Sequence, residues 1–334
     1  MWMYNHDFSM WTLFPPGGWV FFLFVLALIW GIISFNAELL KKYMRYVVII
    51  SGILFWIQII CEITTGSPQF CFVPNLTGEF TYQAFTYADV VNKHLNGNKP
   101  SSIFLEKSYL AYYFISYLAL TWFETKEKSR MFTRENIFVI ATLIASRSGT
   151  ALVGFTILFI VKMFAVFWSA NIKRRLMLIF LTVPMIVGVI YLYMNSEIGQ
   201  EMFLRSGELT DEHTSGFVRI VEGYTKFDQL NPIEKIIGIP NARERFEVLG
   251  SNGSFIFYVN GIQSILLNLG YIGAFVYLLF YINIFRKVSF TSKMSIIVLL
   301  VMSLLEANYL NPYMMLLTII PCAEIYLKRN NILF

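Results

Sequence analysis

Apolar runs long enough to cross a bilayer recur along this chain of 334 residues and constrain its fold more than any other feature. A transmembrane helix needs about 20 mostly apolar residues, because backbone polar groups in lipid must be satisfied within the helix. Charged residues make up 14% of the chain, against roughly 25% in soluble domains. The sequence therefore predicts an all-α polytopic membrane protein, with one integral membrane domain over residues 1–334, and excludes a soluble globule.

Runs bounded by charged residues, Pro or Gly predict about nine transmembrane helices. The stretch Asn136–Trp168 is too long for one span and is interrupted by Ser146–Thr150, so we predict two helices that meet at a polar turn. The long polar segment 195–252 then separates the sixth span from the seventh. The remaining predicted spans are Trp19–Asn36, Tyr46–Glu62, Ser108–Phe123, Leu176–Met194, Val259–Phe285, Met294–Ala307 and Tyr313–Leu327.

The basic residues of the short connections all fall on one side when these helices alternate, and the positive-inside rule identifies that side as the cytoplasm. The amino terminus is then outside and the carboxyl terminus cytoplasmic. The first loop (63–107), the turn 146–150 and the large loop (195–252) share the outer face. This topology also accounts for the net charge of +5 without a nucleic-acid partner. The residues concerned are Lys41, Lys42, Arg45, Lys126, Lys128, Arg130, Arg134, Lys173, Arg174, Arg175, Arg286, Lys287, Lys293, Lys328 and Arg329.

Arginines gather on the predicted outer face. Arg147 lies in an apolar surround, where a cation costs about 3 kcal/mol, so it faces a polar cavity or an anion, or else snorkels to the outer headgroups from a helix end. Arg205 and Arg219 flank His213 in the large loop. Guanidinium groups form bidentate contacts with phosphate oxygens, so several of them at an outer membrane surface fit a lipid-linked diphosphate. We expect the large loop to carry the active site.

Acid–base candidates are few. His213 could accept a proton from an attacking sugar hydroxyl, because its unperturbed pKa is about 6.5, or it could simply be an exposed loop residue. Glu306 and Glu62, at outer helix ends, are either functional acids or helix caps. Arg243 and Arg245 are interpreted as solvated loop charges. The sequence has no metal-spaced ligand cluster, no phosphate-binding P-loop and no Gly-x-Ser-x-Gly elbow, so we expect no metal and no cofactor.

Three segments resemble the O-antigen polymerase and ligase superfamily of bacterial cell envelopes. The first is Leu143–Thr150, with its Ser-Arg pair after a helix. The second is Gly216–Arg219, followed by Ile236–Pro240, and the third is Asn260–Gly273, which ends in Gly-x-x-Gly. Two positions depart from the pattern. Val259 stands where ligases of the superfamily carry His, and Asn268 stands where an acidic residue is common.

The resemblance implies a polymerase of oligosaccharide repeat units, for O-antigen of lipopolysaccharide or for capsule, in the bacterial inner (plasma) membrane. This metal-independent glycosyltransferase would move glycan from a polyprenyl (undecaprenyl) diphosphate onto a lipid-linked acceptor unit, with a chain-length regulator as possible partner. Arg147 and Arg219, supported by Arg205, would bind the diphosphate, and His213 or Glu306 would be the base. Asn260, which opens the helix after the loop, would contact the acceptor or pack. An O-antigen ligase and a lipid-linked sugar transporter or flippase are the alternatives.

Overall fold

The computed structural model describes residues 16–65, 100–104, 107–123, 132–169, 220–239, 242–246, 248–249, 255–256, 259–305 and 312–330. These residues form eleven helices and one short antiparallel strand pair. The helices are α1 (Pro16–Ile33), α2 (Ala37–Thr65), α3 (Lys107–Trp122), α4 (Arg134–Ala145), α5 (Gly149–Ser169), α6 (Glu222–Asp228), α7 (Pro232–Ile237), α8 (Ala242–Phe246), α9 (Gly261–Lys287), α10 (Phe290–Leu305) and α11 (Pro312–Arg329); the strands are β1 (Val248–Leu249) and β2 (Phe255–Ile256).

Three described helices are long and apolar enough to cross a membrane: α2, Gly149–Phe167 of α5, and α9. The chain is thus an all-α membrane protein, as predicted. Eight of the nine predicted spans coincide with helices, namely α1 to α5 and α9 to α11, whereas Leu176–Met194 lies outside the described residues. With 12 residues, α4 rises only about 18 Å, less than the ~30 Å hydrocarbon core, so the count of nine crossings stays a prediction.

Side-chain contacts fix the direction of the first helices. Arg45 of α2 pairs with Glu135 at the start of α4, and further along both helices Trp56 Nε1 donates to Thr142 Oγ1 (3.0 Å). These two helices therefore run parallel, as the predicted alternation requires. Buried Gln58 connects α2 to the segment before α3. Its Oε1 accepts from the backbone N–H groups of Ser101 (3.1 Å) and Ser102 (2.7 Å).

Helix α3 is the centre of the bundle. Thirteen of its 16 residues are buried, which is typical of a helix surrounded by others. Its carboxyl-terminal carbonyls find polar partners on neighbouring helices: Trp122 O accepts from Lys162 Nζ of α5, and Phe123 O accepts from Thr291 Oγ1 of α10. These bonds satisfy groups that a helix end otherwise leaves unpaired.

One end of the bundle, which we call the basic end, collects the described basic residues of the short connections. Glu324 of α11 is fully buried there. Its carboxylate accepts from the N–H and hydroxyl of Ser289 (2.7 and 2.8 Å) and from Lys328. Arg286, Lys287 and Lys293 flank Ser289 in the α9–α10 connection. The grouping matches the predicted cytoplasmic side, although which membrane face it occupies stays a prediction.

The structure adds two features that the sequence-based predictions did not specify. The predicted span Val259–Phe285 coincides with α9, which begins after Asn260 and is broken at Gly270, where φ is 64° and ψ is −166°. The large loop, predicted at 195–252, contains α6, α7, α8 and β1, and β2 follows it before α9. We call the described residues between 220 and 269 the cap. Its small core contains Phe227, Leu230, Ile239, Ala242, Val259 and Leu267.

Candidate functional site

The structure places two of the six predicted site residues. Arg147 and Asn260 are described; Arg205, His213, Arg219 and Glu306 lie outside the described residues.

Arg147 forms the turn between α4 and α5 in a left-handed backbone conformation, with φ of 49°. Its N–H donates to Ile144 O (3.2 Å), and the preceding Ser146 N–H donates to Thr142 O (2.9 Å). Glycine usually occupies such a position, because a Cβ there costs about 1 to 2 kcal/mol. The Arg147 side chain is exposed and pairs with no acid among the described residues. Strained backbone conformations of this kind cluster at binding and active sites.

Arg147 and the cap lie at the same end of the bundle, which we call the cap end. A Cβ at Gly154 of α5 would lie 2.7 Å from Met302 Cε, and a Cβ at Gly261 of α9 would lie 3.2 Å from Ser303 O. Both helices therefore contact the last turn of α10. Arg147 precedes Gly154 by two helical turns, on the side away from the basic end.

Asn260 is a helix cap. Its Oδ1 accepts from the Gln263 N–H (2.9 Å), and Gln263 Oε1 accepts from the Asn260 N–H (3.0 Å). This reciprocal pair satisfies two of the free donors at the start of α9. Asn260 is buried, so of the two predicted roles the geometry supports packing.

Gln263 is the residue that sequence reasoning missed. Besides closing the capping box, its Nε2 donates to the carbonyl of Ile220 (2.8 Å), the residue that follows Arg219 in the chain. Gly223 permits this approach, because a Cβ there would lie 2.5 Å from Gln263 Cδ and Oε1. The Asn-x-x-Gln spacing could have signalled the capping box. The bond to Ile220, 43 residues away, has no local signal.

The end of α7 and the residue after it dock on α9 through two glycines, both with positive φ. A Cβ at Gly238 would lie 2.4 Å from the backbone of Asn268, and a Cβ at Gly270 would lie 2.4 Å from Ile236 O. Ile239 N–H also donates to Leu267 O (2.8 Å). The break in α9 is thus the place where the chain after α7 crosses it, and only glycine allows the two backbones to come so close.

The two departures from the family pattern have structural roles in the cap. Val259 is buried in the cap core, where an apolar side chain packs against its neighbours. Asn268 Nδ2 donates to Ser264 O (2.8 Å), and its Oδ1 lies within reach of the Ala242 N–H (3.4 Å). A carboxylate at this position could accept from Ala242 but could not donate to Ser264.

Cations of the cap are neutralised locally. Lys226 pairs with Glu222 (2.6 Å), Lys235 with Asp228 (3.7 Å) and Arg245 with Glu234 (2.6 Å). The Arg245 guanidinium beside Glu234 holds the pKa of that carboxyl below its usual value. The pairing of exposed Arg245 agrees with its interpretation as an ordinary loop charge. Each lysine and arginine side chain described in the cap therefore has a carboxylate partner, whereas Arg147 has none among the described residues.

Within the described part of the chain, no group of three or more His, Cys, Asp and Glu side chains is placed to hold a metal ion. Cys61 is a half-buried free thiol, and Cys71, with which it could pair, lies outside the described residues. The arrangement at the cap end can therefore offer an anion an exposed guanidinium on a strained turn. No protein-family model, curated protein or solved structure matches this chain.

Proposed function

We propose that this protein is an oligosaccharide repeat-unit polymerase of bacterial surface polysaccharide, O-antigen or capsule, acting at the outer face of the inner membrane. The observation that carries the proposal is Arg147, an exposed guanidinium with no described acid partner, held in a left-handed turn at the cap end. A lipid-linked diphosphate presents its charge at this level of a bilayer. The exposed Arg147 guanidinium would supply the bidentate contact that phosphate oxygens favour.

Leaving-group stabilisation is the central chemical task. An acceptor hydroxyl oxygen forms a bond to the anomeric carbon of the donor sugar, while the bond from that carbon to the diphosphate oxygen breaks. The bonding electron pair leaves with the diphosphate. Arg147, with Arg219 and Arg205 of the large loop, would stabilise this developing charge, an effect that preorganised cations commonly contribute to catalysis. The reaction needs no nucleotide and no metal, because the diphosphate is already a good leaving group once its charge is matched.

The acceptor proton needs a base. His213 is the proposed base and Glu306 its competitor. In the sequence, His213 precedes the described residues of the cap, and Glu306 directly follows the last residue of α10. If neither substitution changes the rate, the proton passes to solvent and leaving-group stabilisation alone carries the step.

The contacts of Gln263 in the cap support the proposal. It is fully buried and holds the carbonyl of Ile220. A residue next to Arg219 is thereby anchored to the first turn of α9. Gln263 would act as a positioning residue for the arginine segment rather than touch the substrate.

Complementation tests the function. The gene is deleted in its host and restored with wild type, Arg147→Ala or Arg219→Ala at matched membrane levels, and the surface polysaccharide is separated on a gel. Arg245→Ala is the matched control, because it removes the same charge from an exposed ion pair of the cap. We expect the deletion strain to carry a single repeat unit on its acceptor, and neither Arg147→Ala nor Arg219→Ala to restore the ladder. The control should restore it.

Other results select the alternatives. If the deletion leaves no glycan on the acceptor, an O-antigen ligase or a flippase for lipid-linked sugars explains the gene better. If both arginine variants restore a full ladder, the diphosphate site lies elsewhere. A chain-length regulator as partner predicts that deleting it changes the length distribution of the ladder without removing it.

A further inference from the structure

Helix α7 has an unusual distribution of polarity for a helix in a polar loop. Ile233, Ile236 and Ile237 are 68%, 49% and 60% exposed. Glu234 and Lys235 point the other way and form ion pairs with Arg245 and Asp228 of the cap. At 100° per residue the three isoleucines share one face of the helix. The polar side of α7 is thus turned toward protein and its apolar side toward the surroundings.

The apolar face of α7 continues onto a helix that crosses the membrane. The end of α7 packs against α9 at Gly238 and Gly270. On α9 the neighbouring large side chains Leu269, Ile272 and Phe275 are 52%, 55% and 62% exposed. Since α9 is long and apolar enough to span a bilayer, its exposed apolar side chains face lipid. The end of α7 contacts α9 beside Leu269, so the isoleucines adjoin this apolar surface.

Two further features mark the level of the interface. Tyr271 follows the Gly270 break, is more than half exposed and packs its ring against Phe227 of α6, with ring centroids 5.1 Å apart. Tyrosines favour the membrane–water interface. An apolar groove of about 660 Å³ also runs along α9 on both sides of the break, from Ile262 to Leu278. Apolar surface therefore extends past Tyr271 toward the start of α9.

We propose that α7 is an interfacial membrane helix: the face formed by Ile233, Ile236 and Ile237 inserts at the boundary between headgroups and acyl chains of the bilayer that α9 crosses. An isolated patch of this kind would fit a partner protein equally well. The contact with α9 favours lipid, because the adjoining apolar surface belongs to a helix long and apolar enough to span a bilayer. The amphipathic pattern, with ion pairs on the polar face, is that of helices that lie in the interface. The cap then rests on the membrane surface, whichever reaction the protein catalyses.

Site-directed spin labelling tests this inference on the full chain. Single cysteines replace Ile233, Ile236 or Ile237 in a background where Cys61, Cys71 and Cys322 are alanine. Phe275→Cys serves as the lipid control and Gln229→Cys, at an exposed position of the cap, as the aqueous control. Each protein is placed as one copy per nanodisc of phosphatidylethanolamine and phosphatidylglycerol. Collision of the nitroxide with oxygen, which partitions into lipid, is compared with collision with a water-soluble nickel chelate.

We expect the oxygen-to-nickel accessibility ratio at the three isoleucine positions to match that at Phe275 and to exceed that at Gln229 several-fold. The positions are exposed, and cysteine is smaller than isoleucine, so the substitutions introduce no clash. A ratio equal to that at Gln229 would place α7 in water and overturn the proposal. Protection from both reagents would also overturn it, since another protein surface would then cover the isoleucines.

Discussion

Glu324 at the basic end and Arg147 at the cap end are both charged residues, but their surroundings are opposite. Glu324 is fully buried and accepts from the backbone and side chain of Ser289 and from Lys328. Arg147 is exposed, pairs with no described acid and strains its backbone. We infer from this difference that the basic end has a structural role and the cap end a ligand-binding role. Charge satisfied by neighbours stabilises the fold, whereas charge left exposed on a strained turn is available to a ligand.

A substitution at the junction between the bundle and the cap should have the largest effect, because it should lower both the stability and the activity of the protein. Gly270→Ala places a Cβ 2.4 Å from Ile236 O at a positive φ, which we expect to cost about 3 kcal/mol. The measurement is Tm in detergent together with complementation of the polysaccharide ladder. Gly149→Ala is the control, because a Cβ there meets nothing within 4 Å. Equal Tm values for the two variants would show that the cap does not depend on this crossing.

At the basic end, stability should fall without loss of intrinsic activity. Glu324→Ala leaves the half-buried Ser289 N–H and hydroxyl without their acceptor, at a cost of about 2 kcal/mol. We expect a lower Tm and less protein in the membrane, but unchanged polymer per molecule. Glu38→Ala removes an exposed carboxylate from the first turn of α2 and should leave both unchanged. Loss of polymer per molecule in Glu324→Ala would contradict the division of tasks.

Gln263→Glu tests whether Gln263 positions the arginine segment or only caps α9. Glutamate preserves the acceptor of the capping box but replaces the Nε2 donor to Ile220 O with an oxygen. Loss of that bond should cost about 1 to 2 kcal/mol. If Gln263 positions the arginine segment, polymer yield should fall further than in Asn260→Asp, which keeps all the described cap bonds. Separate titration of donor concentration should show the loss mainly in donor affinity. An equal fall in both variants would reduce Gln263 to a helix cap.

Local chemistry explains what the sequence predicts well. Apolar length locates α1 to α5 and α9 to α11, and the polar Ser-Arg-Ser-Gly interruption locates the turn at Arg147. The break at Gly270 is not visible in the sequence, because a single glycine is tolerated inside an apolar helix. It is caused by Ile236 and Gly238, more than 30 residues earlier. The bond from Gln263 to Ile220 likewise depends on chain crossing rather than on local pattern. Helix α7 was not predicted, because the segment around it is polar. Its three isoleucines share one face only when the segment is helical.

Arg147→Gly should separate charge from strain at the cap end. Glycine relieves the left-handed conformation, worth about 1 to 2 kcal/mol, and loses part of that gain through unfolded-chain entropy, about 0.4 to 1 kcal/mol. We therefore expect a small rise in Tm together with loss of the polymer ladder. Arg147→Ala removes the same charge but keeps the strain, so its Tm should not rise. A stable, active Arg147→Gly protein would show that the guanidinium is dispensable.

The ion pair between Glu234 and Arg245 should give the smallest effect, and it is visible only through pH. The pair holds the pKa of Glu234 below the ordinary value of 4.5, so its stabilisation is present above that value and is lost as pH falls through the lower, folded-state pKa. Because both side chains are partly exposed, the contribution stays below about 1 kcal/mol. Glu234→Gln keeps one oxygen for the capping box but removes the charge and the second oxygen, which accepts from Arg245. The Tm difference between wild type and Glu234→Gln should therefore be greatest near neutral pH and shrink as the pH falls below 4.5. A Tm difference independent of pH would show that hydrogen bonding, not charge, provides the stabilisation. Lys226 and Lys235 would then be the remaining examples of paired cap cations to compare with exposed Arg147.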